Sequence, residues 1–354
     1  MDPDAFEEII RGETGSAGGK PGRVSSSDRV PHGGRPDPLL LDFSANTNPK
    51  TPTGVSRVYE AALSAARSYP DDCYYEFRAT AAEYTGCEAP QVVPTAGGLE
   101  GVRLAVGATV DRGQDVLLPA PSFGAFAREV RLQGGEPSFV AHDAVLETDP
   151  SPYAMVVVGM PNNPTGEAYD PEALSAYAER CREADTVLLV NESFLGFTDL
   201  PSMAGHDGVI AVRSLTKLFG LPGLRAGFAV ATGDHLDRLE LARQTWNLST
   251  PASAVGTHCM RQTEFVAETR ERTAAERRRM RESLAEHFEV HPSDAPFLLL
   301  DAGSGDRVDE LLETVREHDL AIRDARTFRG LDRHVRVAVR LPYENDILLD
   351  VLGH

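Results

Sequence analysis

The 354-residue sequence predicts an α/β fold, in which a mostly parallel sheet carries helices on both faces and a smaller α+β domain follows. Two observations support this prediction. From about residue 90, short continuous apolar runs alternate with segments of helical spacing, as in parallel sheets that helices cover. After residue 250, a long charged helical segment leads into shorter apolar runs, which indicates a separate unit. The hydrophobic share of 41% suffices for a full core.

Five apolar or β-branched runs are the predicted strands of the large sheet. They are apolar at consecutive positions, which is typical of strands that are buried on both faces. The runs are DVLLPA (115–120), YAMVVVGM (153–160), TVLLVN (186–191), GVIAVRS (208–214) and AGFAVA (226–231).

The clearest predicted helix covers residues 170–183. Asp170 suits the N-cap and Pro171 suits the first helical position, where its missing N–H costs nothing. An apolar stripe at helical spacing then follows, formed by Ala173, Leu174, Tyr177 and Ala178.

Changes of composition divide the chain into three predicted parts. Residues 1–30 are rich in Gly, Ser and charge and are expected to form an N-terminal arm. Residues 31–250 form the large domain and 251–354 the small one. The predicted elements of the small domain are a helix at roughly 261–288, the run FEV, the run PFLLLD, a helix at 307–318 and the run VRVAVR.

The formal charge of −19 excludes proteins that coat nucleic acid or anionic membranes, because both need a positive face. No apolar run of membrane-spanning length is present, and the N-terminus lacks the order of a signal peptide. The four cysteines form no CxxC pair, which favours reduced thiols over a zinc site. We therefore expect a soluble cytoplasmic protein. The acidity and the presence of only three lysines are typical of a halophilic proteome.

The strongest chemical signal is SLTKLFGLPGLRAG, residues 214–227, which directly follows a predicted strand. Ligands of open α/β sheets bind beyond the carboxyl ends of strands. Lys217 in this motif is the only lysine of the last 304 residues, so an amine is retained where arginine is otherwise used. An amine of lowered pKa forms Schiff bases, whereas a guanidinium does not. Ser214, Thr216 and Arg225 are suitable ligands for a phosphate.

This motif resembles the S-x-[ST]-K-x7-R pattern of the fold-type I pyridoxal-phosphate enzymes, the aspartate aminotransferase superfamily. The resemblance runs from residue 31 onward, and it implies a seven-stranded sheet, pyridoxal 5′-phosphate as cofactor and Lys217 as its Schiff-base lysine. It also implies a homodimer, in which residues 31–70 contribute to the small domain and to the dimer site. Tyr69 of RSYPDD would then contact the cofactor phosphate of the other subunit.

Three further segments match the superfamily in order. TAGGLE (95–100) corresponds to a glycine-rich turn whose amides bind the cofactor phosphate, although Leu99 replaces the frequent Thr or Ser. APSFGAF (120–126) supplies the aromatic ring that stacks on the pyridine, and PNNPTG (161–166) supplies an asparagine for the ring hydroxyl. Beyond the motif of Lys217, the resemblance assigns to the cofactor Gly97, Gly98, Leu99, Phe123, Asn163, Asn191, Phe194 and Tyr69.

One position departs from the superfamily pattern. NESF (191–194) places Asn191 where an aspartate ordinarily pairs with the pyridine nitrogen and keeps it protonated. A neutral amide donates a hydrogen bond to an unprotonated nitrogen but supplies no negative charge. Glu192 does not compensate, since successive strand residues point to opposite faces. We expect that Asn191→Asp raises turnover.

Two segments resemble one branch of the superfamily more than another. HGG (32–34) and LLDFSANTNP (40–49) are similar to the L-threonine-O-3-phosphate decarboxylases of cobalamin biosynthesis. The reaction implied is decarboxylation to (R)-1-amino-2-propanol phosphate. Two alternatives stay open, a histidinol-phosphate or related aminotransferase and a catalytically impaired homologue that binds a phosphorylated ligand.

The predicted substrate is a small phosphorylated amino acid, and arginines near the C-terminus suit its two anionic groups. Arg336 and Arg340 are four residues apart in a strand pattern, so both are expected on the same face. Arg323 is expected to assist, and His32 with Asn46 to complete the substrate-phosphate site. Which arginine meets the carboxylate and which the phosphate is left open.

Overall fold

A seven-stranded sheet forms the centre of the larger unit in the computed structural model, which describes residues 33–34, 37 and 39–353. In spatial order its strands are β2 Val92–Thr95, β8 Gly227–Val230, β7 Val209–Ser214, β6 Val187–Asn191, β5 Met155–Gly159, β3 Asp115–Ala120 and β4 Glu136–Ala141, and only β8 runs antiparallel to the others. The prediction of a mostly parallel seven-stranded sheet is therefore confirmed. The predicted arm of residues 1–30 lies outside the described residues.

The described part of the chain contains thirteen strands and eleven α-helices. The strands are β1 Leu41–Asp42, β2 Val92–Thr95, β3 Asp115–Ala120, β4 Glu136–Ala141, β5 Met155–Gly159, β6 Val187–Asn191, β7 Val209–Ser214, β8 Gly227–Val230, β9 Glu289–Val290, β10 Phe297–Asp301, β11 Leu320–Ala321, β12 Arg323–Asp324 and β13 His334–Ala338. The helices are α1 Val55–Ala65, α2 Tyr75–Thr85, α3 Gly98–Thr109, α4 Ala125–Leu132, α5 Pro171–Glu183, α6 Leu215–Leu218, α7 Gly233–Ala242, α8 Thr250–Met260, α9 Thr263–Leu284, α10 Gly305–Glu317 and α11 Pro342–Leu352.

Both faces of the large sheet are buried, as the continuous apolar strands predict. Successive residues of β5 show this, since Val156 packs with Tyr177 of α5 on one face. Val157 packs with Phe126 of α4 on the other face. Helix α5 begins as expected, because the Asp170 side chain accepts a hydrogen bond from the Ala173 N–H at 2.9 Å. The sheet is thus a rigid platform whose carboxyl strand ends meet at one edge.

A second, antiparallel sheet of order β12-β13-β10-β9 forms the smaller unit. Helices α9, α10 and α11 cover it, with Met280, Val308 and Leu348 fully buried against Leu298. Strand β1, far from this unit in sequence, pairs in parallel with β11. The chain around residue 41 is thereby fixed to the smaller unit before it enters the large one.

Two strands of the large sheet are absent from the sequence prediction. Strand β4 (EPSFVA) is mostly half-buried and lies at the sheet edge, so it shows no continuous apolar run. Strand β2 has only four residues and contains Pro94, which is tolerated because β2 is the opposite edge strand. The expectation that Arg340 continues the strand of Arg336 is wrong, since β13 ends at Ala338. Pro342 then starts α11.

Three further observations concern the described residues only. None of their helices is both long and apolar enough to cross a lipid bilayer. No cluster of three or more His, Cys, Asp or Glu side chains among them has the arrangement of a metal site. All four cysteines carry free thiols.

Candidate active site

A cavity of about 170 Å³ opens at the carboxyl ends of the central parallel strands. Gly159 ends β5, Asn191 ends β6 beside it, and Lys217 follows the end of β7 by three residues. The smaller unit closes the cavity with Arg336. The described residues that line it are Gly33, Ser44, Ala45, Asn46, Phe123, Phe126, Gly159, Pro161, Asn163, Asn191, Ser193, Phe194, Lys217 and Arg336.

Lys217 is a partly buried amine in the single turn of helix α6. Burial, and then the positive charges of Arg336 and Arg225, lower the pKa of the Lys217 ammonium to about 8. In a substantial fraction of the molecules, the Lys217 amine is therefore neutral and nucleophilic near physiological pH. Asn48 holds the turn, since its N–H donates to the Lys217 carbonyl at 3.0 Å and its Nδ2 to the Leu218 carbonyl at 2.8 Å.

An anion cradle lies next to the cavity, where helix α3 begins at Gly98. A Cβ on Gly97 would stand 2.4 Å from an Arg225 guanidinium nitrogen, and Gly97 has φ +89°. A Cβ on Gly98 would stand 3.0 Å from the Ser193 hydroxyl, so both glycines are required for close approach. Ser214 and Thr216 add a pair of hydroxyls 2.8 Å apart. Helix amides, hydroxyls and a guanidinium together fit a phosphate.

Asn163 and Phe123 both line the cavity. The amide oxygen of Asn163 accepts a hydrogen bond from the Arg336 guanidinium. The Asn163 Nδ2 therefore remains as a donor. Phe123 packs edge-on against Phe126, with ring centroids 5.5 Å apart, which fixes an aromatic wall at the cavity.

Asn191 is held by Ser193, two residues along the chain. Its Oδ1 accepts from the Ser193 N–H at 3.1 Å and from the Ser193 hydroxyl at 2.5 Å. Glu192 between them points away and is only 1% exposed. It forms an ion pair with Arg213 at 2.7 Å and accepts from the Met203 N–H. The Glu192 carboxylate is thus engaged in buried contacts outside the cavity lining.

Arg336 of the smaller sheet lines the cavity, whereas its neighbour Arg323 is not among the described lining residues and donates to the Thr327 hydroxyl at 2.8 Å. Arg323 and Arg336 are register partners on β12 and β13, and both are more than nine-tenths buried. Burial and the charge of Arg323 lower the pKa of Arg336 to about 9. Arg336 donates to the Ser44 carbonyl at 3.2 Å, and the Asn46 amide oxygen accepts from the same guanidinium at 3.3 Å.

Other predicted residues lie elsewhere. Arg340 is not among the cavity-lining residues, and its guanidinium contacts the Glu344 carboxylate at 3.0 Å and the Asp42 carbonyl at 3.0 Å. Tyr69 is 77% exposed and stacks on Trp246 with ring centroids 4.2 Å apart. Leu99 sits in the first turn of α3, outside the lining. His32 falls outside the described residues.

Seven described lining residues were not singled out from the sequence: Gly33, Ser44, Ala45, Phe126, Gly159, Pro161 and Ser193. A signal existed for Ser193, because an Asn side chain commonly accepts from the backbone N–H two residues later. Ser44 contributes its carbonyl to Arg336, and no sequence pattern reports such a backbone contact.

The family follows from this arrangement together with a direct sequence match. A family model described as aminotransferase class I and II matches residues 40–352. The chain belongs to this family. Its members depend on pyridoxal 5′-phosphate.

Relatives within the class I and II aminotransferases carry two kinds of name. A provisionally named threonine-phosphate decarboxylase of Caldanaerobacter subterraneus is 31% identical, over 87% of this chain and 88% of that protein. Histidinol-phosphate aminotransferase 1 of Archaeoglobus fulgidus is 27% identical, over 88% and 98%. The crystal structure of histidinol-phosphate aminotransferase from Sinorhizobium meliloti, in complex with pyridoxal-5′-phosphate, superimposes with a TM-score of 0.80 at 21% identity, covering 87% of this chain and 88% of that one.

The residues present fit the family's cofactor. The cradle at Gly97 and Gly98 has the donors that a phosphate needs and leaves no room for side chains there. The cavity beside it offers an aromatic wall at Phe123, amide donors at Asn163 and Asn191, and the amine of Lys217.

Proposed function

We propose that this protein decarboxylates L-threonine O-3-phosphate to (R)-1-amino-2-propanol phosphate, the reaction of cobalamin biosynthesis. The observation that carries the proposal is the buried guanidinium of Arg336, which has Arg323 as its register partner, at a cavity whose described lining has no carboxylate. Among the described lining residues, none is Asp or Glu, whereas Lys217 and Arg336 are basic. Such a cavity favours a substrate with more than one anionic group.

The two candidate substrates differ in their anionic groups. Threonine phosphate carries a carboxylate and a phosphate, whereas histidinol phosphate carries a phosphate and no carboxylate. The positive charge of Arg323 lowers the pKa of Arg336, and a bound anion would offset that repulsion. Arg336 presents a fork of donors suited to an anionic group of the substrate, and we propose that Arg323 assists from the neighbouring strand. We propose Asn46 as a further contact to the substrate.

The chain's residues have separate tasks in the proposed reaction. Pyridoxal phosphate, when bound, supplies the electron sink for the electrons of the bond that breaks at Cα. Gly97, Gly98, Ser214, Thr216 and Arg225 would hold its phosphate, and Phe123, Asn163, Asn191 and Phe194 its ring.

Lys217 and the arginines act on the substrate. Lys217 would hold the cofactor covalently and, once displaced by the substrate amine, place an amine beside Cα. Arg336 would orient the carboxylate so that carbon dioxide is the leaving group. A proton donated from the Lys217 side would then replace it at Cα.

The names of relatives support both a decarboxylase and an aminotransferase reading. Direct assay separates the two. The holoenzyme is incubated with threonine phosphate without a 2-oxoacid, and carbon dioxide and aminopropanol phosphate are measured. Stoichiometric release supports the proposal. Turnover only with a 2-oxoacid acceptor, and then of histidinol phosphate, would identify an aminotransferase. No turnover with either, but saturable binding, would indicate the impaired homologue.

We also propose a homodimer with shared sites. Tyr69 is highly exposed, stacks on Trp246 and is not among the described residues that line the cavity of its own chain. Asp72 fixes this region through two bonds to Arg243, each 2.9 Å, and accepts from the Trp246 N–H. A rigid, exposed tyrosine is well placed to reach the cradle of a second copy.

A further inference from the structure

The described lining of the cavity contains three asparagines, and the amide oxygen of each is engaged by a donor of the protein. The Asn163 oxygen accepts from Arg336, the Asn46 oxygen accepts from Arg336, and the Asn191 oxygen accepts from Ser193. Each amide oxygen thus already accepts a hydrogen bond, and Nδ2 is the group of each side chain that remains for a ligand. No described lining residue contributes a carboxylate. The polar side chains of the wall are organised as donors.

The orientation of Asn191 is fixed by chemistry as well as by position. A backbone N–H is always a donor, so the atom that faces the Ser193 N–H at 3.1 Å has to be the amide oxygen. The Ser193 hydroxyl at 2.5 Å occupies the second lone pair of the same oxygen. The Asn191 oxygen is thus saturated, and Nδ2 is the group left for the cavity.

We infer that Asn191, oriented by Ser193, donates a hydrogen bond from Nδ2 to the cofactor's ring nitrogen and so keeps that nitrogen unprotonated. The inference rests on the proposed placement of the ring beside Asn191. A pyridine nitrogen has one in-plane lone pair, and when this lone pair accepts an N–H it is not available to bind a proton. A carboxylate at the same place would do the opposite and stabilise the pyridinium.

Ser193 is a positioning residue in this arrangement. It contacts Asn191 and lies 3.0 Å from the Cβ position of Gly98, between the anion cradle and the cavity. Rotation of the Asn191 amide would set Nδ2 against the Ser193 N–H, donor against donor, and would leave both unsatisfied. The Ser193 hydroxyl adds a second bond against that rotation.

The test uses the full-length holoenzyme loaded with pyridoxal phosphate labelled with ¹⁵N in the ring. Wild type is expected to show the ¹⁵N chemical shift of a neutral pyridine at neutral pH. Asn191→Asp is expected to shift the resonance to that of a pyridinium, because an oxygen still accepts from Ser193 while the other faces the ring. Asn46→Asp is the matched control, since it adds a carboxylate to the same cavity beside Arg336, and it is expected to stay neutral.

Ser193→Ala tests the positioning role independently. Loss of one hydrogen bond is expected to weaken cofactor binding about threefold to tenfold. The ring-nitrogen resonance is expected to move part of the way toward the pyridinium, which a merely structural loss would not cause.

A pyridinium resonance in wild type, or the same resonance in wild type and Asn191→Asp, would overturn the inference. Borohydride reduction and mass spectrometry of the same samples show whether Lys217 carries the cofactor. Absence of that adduct would overturn the site and this inference together. If the holoenzyme carries the adduct but releases no carbon dioxide from threonine phosphate, the proposed reaction is wrong. The ring-nitrogen resonance then still tests the inference on Asn191.

Discussion

Arg323 and Arg336 face each other as register partners on two antiparallel strands, each more than nine-tenths buried. Burial, and then the positive charge of Arg323, lower the pKa of Arg336 to about 9. An anion that binds Arg336 in the cavity would offset both effects, so this position favours a negatively charged group of the ligand.

Arg336→Lys is expected to raise KM for threonine phosphate about 10- to 100-fold, because a bidentate charged contact is lost. Arg326→Lys is the matched control, since Arg326 lies nearby but pairs with Asp309 and Asp324 outside the cavity lining. Its KM is expected to stay near wild type. Steady-state kinetics of both variants provide the measurement, and equal effects would contradict the role of Arg336.

Arg340→Ala is expected to lower stability rather than substrate affinity. The change removes contacts to Glu344 and to the Asp42 carbonyl, which link α11 to β1. We expect a loss of about 1 to 3 kcal/mol in the free energy of unfolding, measured with urea. A large rise of KM without a loss of stability would instead restore Arg340 as a substrate ligand.

The reaction of the apoprotein with pyridoxal phosphate is expected to accelerate as the pH rises through about 8, the pKa of Lys217. Only the neutral amine attacks the aldehyde. Stopped-flow absorbance against pH measures the midpoint. A midpoint near 10.5, the ordinary lysine value, would contradict the effect of burial and neighbouring charge.

The lowered pKa of Lys217 also makes the free energy of unfolding depend on pH. Because the pKa of Lys217 is lower in the folded state, the unfolded chain binds more protons between about pH 8 and 10.5, and stability rises across that window. Below pH 8 both states are protonated and the buried charge is a full cost. Lys217→Met is therefore expected to stabilise the apoprotein at pH 7 by about 1 to 3 kcal/mol. Thermal unfolding that shows a destabilised variant would refute this.

Asn191→Asp is expected to raise turnover about tenfold, the effect of roughly 1.4 kcal/mol on the barrier. The carboxylate retains the bonds from Ser193 and supplies the charge that stabilises a protonated ring nitrogen. Single-turnover kinetics measure the chemical step directly. An unchanged or lower rate would show that another group controls the ring nitrogen.

Mixed dimers test the contact that Tyr69 is proposed to make with a second subunit. Tyr69→Ala and Lys217→Met are each expected to reduce activity strongly when expressed alone. A hybrid of the two contains one site with an intact Lys217 and, from the other chain, an intact Tyr69, so activity is expected to return to about half that of wild type. Activity no higher than in the parent variants would place Tyr69 in its own chain's site, or outside any site.

The strands and helices that bound the site could be predicted because their signals are local. The apolar runs that precede Asn191 and Lys217 identified β6 and β7, and Asp170 with Pro171 marked the start of α5. Half-buried β4 escaped prediction because an edge strand is not apolar on both faces.

The sequence by itself determined the fold class, the amine of Lys217 and the departure at Asn191, since each is a matter of residue type in a local pattern. Only the tertiary structure decided which arginine faces the cavity. Arg336 and Arg340 look equivalent in sequence, yet the end of β13 directs one to Asn163 and the other to Glu344. The tertiary structure also decided that Oδ1 of Asn191 faces Ser193 and that Nδ2 is left for the ligand. The direction of a hydrogen bond depends on partners that folding brings together.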